Sequence, residues 1–182
     1  MGGRDLRRGH RVRGRGEPRR GTAARRGGRR RHRAGVSQRA SPACSTTDAH
    51  VVSLEEELTA LTNDYRVSKG LNALVDDPKI REVARGQCEH MIVHGFFSHQ
   101  NPEGQWPWER ATMAGIEWIQ YGENLAAGQP TARQAFAALL ASSGHRAVIE
   151  DPGWTHVGCG FASDLQSRHL YYWAQNFKRC GP

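Results

Sequence analysis

A mixed α+β domain, with helices laid on both faces of a sheet, is the fold class predicted for residues 48–182. Three observations predict it. Apolar residues recur at helical spacing behind capping residues, strand-like runs gather near the C-terminus, and the last of those runs is apolar on both faces. A stretch of this length suffices for one domain with a core, since domains cluster near roughly 100–150 residues.

Ser53 and Glu56 read as a capping box, and Leu54, Leu58, Leu61 and Tyr65 follow on one face of a first helix that Gly70 ends. Asp77-Pro78 is a cap followed by proline at the first helical position. Ile80, Ala84 and Met91 then lie near one stripe until Gly95 stops the second helix. Pro107 to Ala114, closed by Gly115, reads as a short third helix, and Thr131 with Gln134 opens another whose apolar face is Ala135, Phe136, Leu139 and Leu140 and which ends near Ser142. Val157 to Ser163 and His169 to Phe177 are strand-like and joined by the polar loop 164–168, so a hairpin is expected. Its second strand is apolar on both faces up to Ala174, which requires cover above and below.

The first 47 residues differ in kind. They hold fifteen arginines against Asp5 and Glu17 alone, a net charge near +13, whereas residues 48–182 carry about −5, which together give the whole chain its +8. Rich in glycine and poor in large apolar side chains, this segment cannot bury enough surface to offset its conformational entropy, so a disordered basic N-terminal tail is expected. Arginine runs such as residues 25–31 are able to grip phosphates. A solvated tail is the preferred reading, because no aromatic side chain interrupts the arginines to stack on bases.

No stretch supplies the roughly 18 apolar residues that a membrane span needs. The segment from Ala34 to Thr47 is too polar for the apolar core of a secretory leader, so no export signal is visible in the chain. Cys44, Cys88, Cys159 and Cys180 match no zinc-ribbon or redox spacing and permit three disulfide pairings, among which the sequence does not choose.

Histidine is abundant in the domain. His90 and His94 are four apart on the second helix and share a face, a spacing compatible with a two-histidine metal clip. Without a third partner the plain surface reading is preferred. His99 follows Gly95-Phe96-Phe97-Ser98 just beyond a helix end, Glu123 sits in Gly122-Glu123-Asn124-Leu125-Ala126, and His145 follows Ser142-Ser143-Gly144. Each reads as a loop or element-terminal position, where functional groups concentrate.

Taken in order, these segments resemble the CAP superfamily, also called the SCP family, of cysteine-rich secretory proteins, antigen 5 and class 1 pathogenesis-related proteins. The resemblance runs from about Leu54 to Phe177 and is carried by Asn63-Asp64-Tyr65-Arg66, Phe97-Ser98-His99, Gly122-Glu123-Asn124-Leu125-Ala126, Ser143-Gly144-His145-Arg146 and the closing Tyr172-Trp173-Ala174-Gln175-Asn176-Phe177. It implies a three-layer α-β-α sandwich of the shorter bacterial type, a secreted location, and a central cavity lined by two histidines and two glutamates. His99, Glu123 and His145 match three of those four positions. The second glutamate has no counterpart, because Arg133 to Ser143 contains no acid, and Leu139 or Leu140 stands where the family often has tryptophan.

Two histidines and a carboxylate form a sufficient set for zinc or another divalent cation, and no organic cofactor is implied. A hydrolase also needs a group to take the proton of the attacking water, and no second carboxylate is evident. The resemblance and the missing acid together give as the expected function an extracellular, non-enzymatic binding module for a small-molecule, lipid or protein ligand, with any nucleic-acid contact expected of the tail only. Lipid or sterol capture beside the cleft, through Trp106, Trp108, Ile116, Trp118 and Tyr121, is the first alternative, although packing over the sheet edge is the plainer role for these side chains. A metal-assisted peptidase or esterase is the second. The secreted location and the missing leader are reconciled by supposing that the start of the chain or its N-terminal segment is not the mature one.

Overall fold

The computed structural model describes residues 46–181, with side chains from residue 49. Cys44 and nearly all of the arginine-rich segment lie outside the described residues, and with them the expectation of disorder there. The first helix, α1 (Thr46–Ser68), begins seven residues before the expected capping box, so Ser53 and Glu56 lie inside it and the boundary at residues 47 and 48 falls within a helix. The overlooked signal is Val51, three residues before Leu54. It extends the same apolar stripe and packs with Leu54, Leu58, Leu61 and Tyr65 against one core.

A two-residue strand β1 (Val75–Asp76) follows, then α2 (Pro78–His94). Asp77 caps α2 by accepting from the amides of Lys79 and Ile80, and Gly95 ends it in the left-handed conformation, as the sequence predicts. Helix α3 (Pro107–Met113) has the expected proline start. Residues Gln120–Ala127 form β2, a full strand rather than a turn, because pairing with a neighbour over eight residues overrides the weak strand preference of Gly122, Glu123 and Asn124. Helix α4 (Ala132–Ala141) starts at Thr131 as expected, and the strands β3 (His156–Ser163) and β4 (Tyr171–Arg179) form the expected antiparallel hairpin.

The unforeseen element is α5 (Ser143–Glu150). Ser142 is extended, ending α4, and its hydroxyl accepts from the amide of His145, starting a new helix at once. His145 therefore stands in the first turn of a helix and not in a trailing loop.

The sheet runs β1-β3-β4-β2, with β1 parallel to β3 and the other pairs antiparallel. Alternation divides its side chains cleanly. Val157, Cys159, Phe161, Trp173 and Phe177 join the core under α1, α4 and α5, while Leu125, Ala162, Tyr172 and Ala174 join Ala84, Cys88 and Met91 under α2. Helix α3 lies on the α2 side, where Ala111 and Ile116 pack with Ile80. The arrangement is the three-layer α-β-α sandwich anticipated from the doubly covered strand.

Candidate functional site

β2 is one edge of the sheet, the two-residue β1 being the other, and the candidate site lies along it. Alternation along β2 sends Glu123 toward α2 and α3, together with Leu125, and sends Asn124 toward α1 and α5. Glu123 is nearly sealed from solvent, with its side chain 1% exposed. Both of its oxygens are engaged, Oε1 by His99 Nδ1 at 3.0 Å and Oε2 by Arg110 Nη2 at 2.8 Å. A buried carboxylate needs such partners, since an unpaired charge there would be strongly disfavoured.

His99 is held from behind. The Gln87 side-chain amide donates to the Ser98 carbonyl at 2.9 Å, and Arg110 Nη1 donates to the carbonyls of His99 and Gln105 at 2.8 and 3.0 Å. With Nδ1 committed to Glu123, the His99 side chain is still 43% exposed. This is a carboxylate–histidine pair of the kind that fixes an imidazole tautomer. The hydroxyl of Ser98 accepts from the amide of Gln100, so it serves the turn and is not presented to His99 as a nucleophile.

His145 is carried by the opposite layer, at the start of α5. Asn124 Nδ2 donates to its carbonyl at 3.0 Å and to Gln175 Oε1 at 3.3 Å, and Gln175 Nε2 donates to Thr62 Oγ1 at 2.7 Å, so a buried amide chain from α1 through β4 and β2 sets where α5 begins. His99 and Glu123 are thus in direct contact. His145 is near enough for the charge of His99 to act on it, yet the three ligand groups do not close to within 4.8 Å of one another.

Burial pushes the His145 imidazole below its ordinary value of 6.5, and the charge of His99 adds to the shift. His156 is lowered as well, by burial and then by Lys178. A histidine depressed in the folded state takes up its proton more readily when unfolded, so its contribution is present above pH 6.5 and lost as the pH falls through and below that value. The melting temperature is expected to decline on acidification from about pH 7 to about pH 5, and to decline less in His145→Asn. Identical pH profiles for the two proteins would rule out His145 as a source.

The aromatic residues divide between two roles. Ile116 is buried against Ile80 and Ala111, with Trp118 and Tyr121 packed beside them. Trp106 and Trp108 remain 40% exposed and stack nearly parallel, with ring centroids 5.3 Å apart. With Tyr121, Pro107, His99 and Glu123 they line a cavity of about 200 Å³ beside the polar cleft. Arg110, which sequence reasoning passed over, is the residue that ties this wall to Glu123. A lone arginine on a short helix carries no local signal of that role.

Cys88, Cys159 and Cys180 form no disulfide among the described residues. Burial pushes the Cys159 thiol up to about 12 and raises Cys88 as well, so both behave as packed apolar groups.

A small α-β-α domain with a histidine–carboxylate cleft at its open sheet edge is the class of protein these features define. Residues 59–177 match the cysteine-rich secretory protein family, CAP, and the chain belongs to it. It is 33% identical over 135 residues to the uncharacterized protein YkwD of Bacillus subtilis, a match covering 73% of this chain and 51% of that one. It is 32% identical over 123 residues to the uncharacterized membrane protein YlbC of the same organism, covering 68% of this chain and 34% of the other. The chain thus spans about half the length or less of the curated relatives it matches. Among solved structures, an extracellular protein containing an SCP domain from Bacillus anthracis superposes with TM-score 0.65 at 25% identity, covering 77% of this chain and 45% of that one. An outer surface protein of Borrelia burgdorferi superposes with TM-score 0.64 at 17% identity, covering 69% and 92%, a likeness of fold. Among the described residues no helix is long and apolar enough to cross a membrane.

Proposed function

We propose that this chain is an extracellular CAP binding module, not an enzyme, whose edge cleft takes a divalent cation or a small polar ligand through the imidazoles of His99 and His145. The observation that carries this reading is the engagement of Glu123. Both of its oxygens are held, by His99 and by Arg110, so it orients an imidazole and is not free to take a proton from water. Of the three residues expected to ligate a metal, His99 and His145 would hold it, with Glu123 acting behind His99 as the carboxylate that keeps the tautomer. A cation bound there would supply an electrophilic centre for an anionic ligand group. The extracellular assignment draws on the character of the structural relatives.

A second reading, lipid or sterol capture, draws on the stacked Trp106–Trp108 pair. The adjoining cavity, about 200 Å³, is smaller than the roughly 300–1,000 Å³ of sites that enclose drug-sized molecules, so such a ligand would lie across the tryptophans and not be swallowed.

Calorimetric titration with zinc tests the first reading. It is carried out on the full chain in a His94→Ala background, which removes the histidine pair of α2 from the measurement. Binding is expected, lost on adding His99→Ala or His145→Ala and weakened about 10–100-fold by Glu123→Gln. Equal heat in all of these proteins would remove the cleft as a cation site. Peptide or ester turnover that is abolished by both Glu123→Gln and chelation would overturn the non-enzymatic assignment.

A further inference from the structure

We propose that His90, His94 and Glu103 form a second, surface binding site for a divalent transition-metal ion of the zinc type, separate from the edge cleft. His90 and His94 lie one turn apart at the end of α2, with ring centroids 4.3 Å apart and planes at 79°. Glu103 arrives from the loop after His99, and its Oε2 stands 3.4 Å from His90 Nε2. One ligand atom from each of the three lies within 4.8 Å of the others, the sole three-member histidine, cysteine or carboxylate group among the described residues that closes so tightly. Ligands about 2.0–2.1 Å from a tetrahedral zinc ion are themselves about 3.3 Å apart, so the His90–Glu103 separation is already that of a ligand pair.

The frame around these groups is fixed. Phe96 packs edge-on against His90 at 5.6 Å and sets the plane of its ring. The turn that carries Glu103 is built on Asn101, a buried side chain whose Oδ1 accepts from the Gln105 amide at 2.7 Å and whose carbonyl accepts from Gly104 at 2.9 Å. Gln100 Nε2 closes the same turn on the Gly104 carbonyl at 2.7 Å. Glu103 is therefore presented by a turn that is hydrogen-bonded independently of the two histidines. Two imidazoles and one carboxylate favour zinc, copper or nickel over calcium or magnesium, which prefer all-oxygen sets. His94 and Glu103 are exposed, leaving further positions for water or a ligand from outside.

The site has a mechanical consequence for the cleft. Residues 99–105 carry His99 at one end and Glu103 near the other, and Arg110 braces both ends through the carbonyls of His99 and Gln105. An ion bridging Glu103 to α2 would pin this loop to the helix and steady the wall from which His99 projects.

The test is a zinc titration of the full, untagged chain, followed calorimetrically and by the visible absorption of cobalt substituted for zinc. One ion is expected to bind the wild type at this site, to remain bound in His145→Ala, and to bind at least about tenfold more weakly in His94→Ala and in Glu103→Gln. Zinc is also expected to raise the melting temperature of His145→Ala, whose cleft site is removed, but not of the His90→Ala, His94→Ala, His145→Ala triple variant. Affinity unchanged by both His94→Ala and Glu103→Gln would reduce His90–Glu103 to an ordinary surface ion pair and overturn the proposal. Loss of binding in His145→Ala with retention in His94→Ala would assign the ion to the cleft alone and overturn it equally.

Discussion

Gly160→Ala is expected to leave the domain largely unfolded, while Gly86→Ala, on the helix directly above, is expected to be neutral or stabilising. Gly158 and Gly160 are β3 residues that face α2, and a Cβ at Gly160 would overlap the backbone of Ala84 and Arg85, as one at Gly158 would overlap Ile80 and Arg81. These obstacles are main chain, which no rotamer change moves aside. Overpacking that side chains can absorb costs about 1–3 kcal/mol, whereas here the whole helix must lift from the sheet, so a loss of about 4 kcal/mol or more is expected. A loss of that size is most of the stability of a domain near the lower end of the roughly 5–15 kcal/mol range. Gly86 sits within α2 with open space where a Cβ would stand, nothing within 4 Å, and no left-handed backbone, so alanine there should contribute up to about 1 kcal/mol of helix propensity. Urea unfolding of the two variants decides the matter. A Gly160→Ala midpoint close to that of the wild type would show that the helix does not pack as closely as described.

Arg66→Met is the second large effect, expected at about 3–5 kcal/mol. Arg66 is fully buried and burial lowers its pKa, with Asp151 opposing the shift. Its guanidinium donates to the carbonyls of Ile149 at 2.6 Å, Asp151 at 2.9 Å and Asn72 at 3.0 Å. Two of those carbonyls lie at the C-terminal end of α5, where helix geometry leaves acceptors without partners. Methionine fills the space and strands all three, and the effect reaches the cleft because α5 is the helix that presents His145. Arg66→Lys should rescue little, since one ammonium cannot reproduce a planar fork serving three acceptors. A loss below about 1 kcal/mol in denaturant unfolding would mean that water replaces the guanidinium.

Several segments that carry the family pattern are accounted for by such structural work. Asn63 clamps the backbone of Leu74 in both directions, at 2.9 and 2.8 Å, and the Tyr65 hydroxyl donates to Glu150 at 2.6 Å. Gln175 and Asn124 form the amide chain that places α5. On α1 the residues Glu55, Thr59, Thr62 and Arg66 make a polar stripe at helical spacing that is almost wholly buried. Glu55 accepts from the amide of Phe161 at 3.0 Å and pairs with Arg85. Nothing in the chain order marks this stripe as interior, because polar side chains are usually solvated and only a partner from another element reveals otherwise.

Residue order alone established the α2 cap and stop, the proline start of α3, the Thr131 start of α4, the C-terminal hairpin and the need for cover on both sides of β4. These are local matters, set by capping groups, left-handed glycine and the periods of 3.6 and 2. It also picked out His99, Glu123 and His145 as residues to watch. Only the assembled fold decided that Glu123 stands in an edge strand, that His145 opens a helix, that Arg110 holds the carboxylate, and that Glu103 joins His90 and His94. Each of those depends on partners distant in the chain, and such contacts form because packing and strand pairing bring separate segments together, which no local preference encodes.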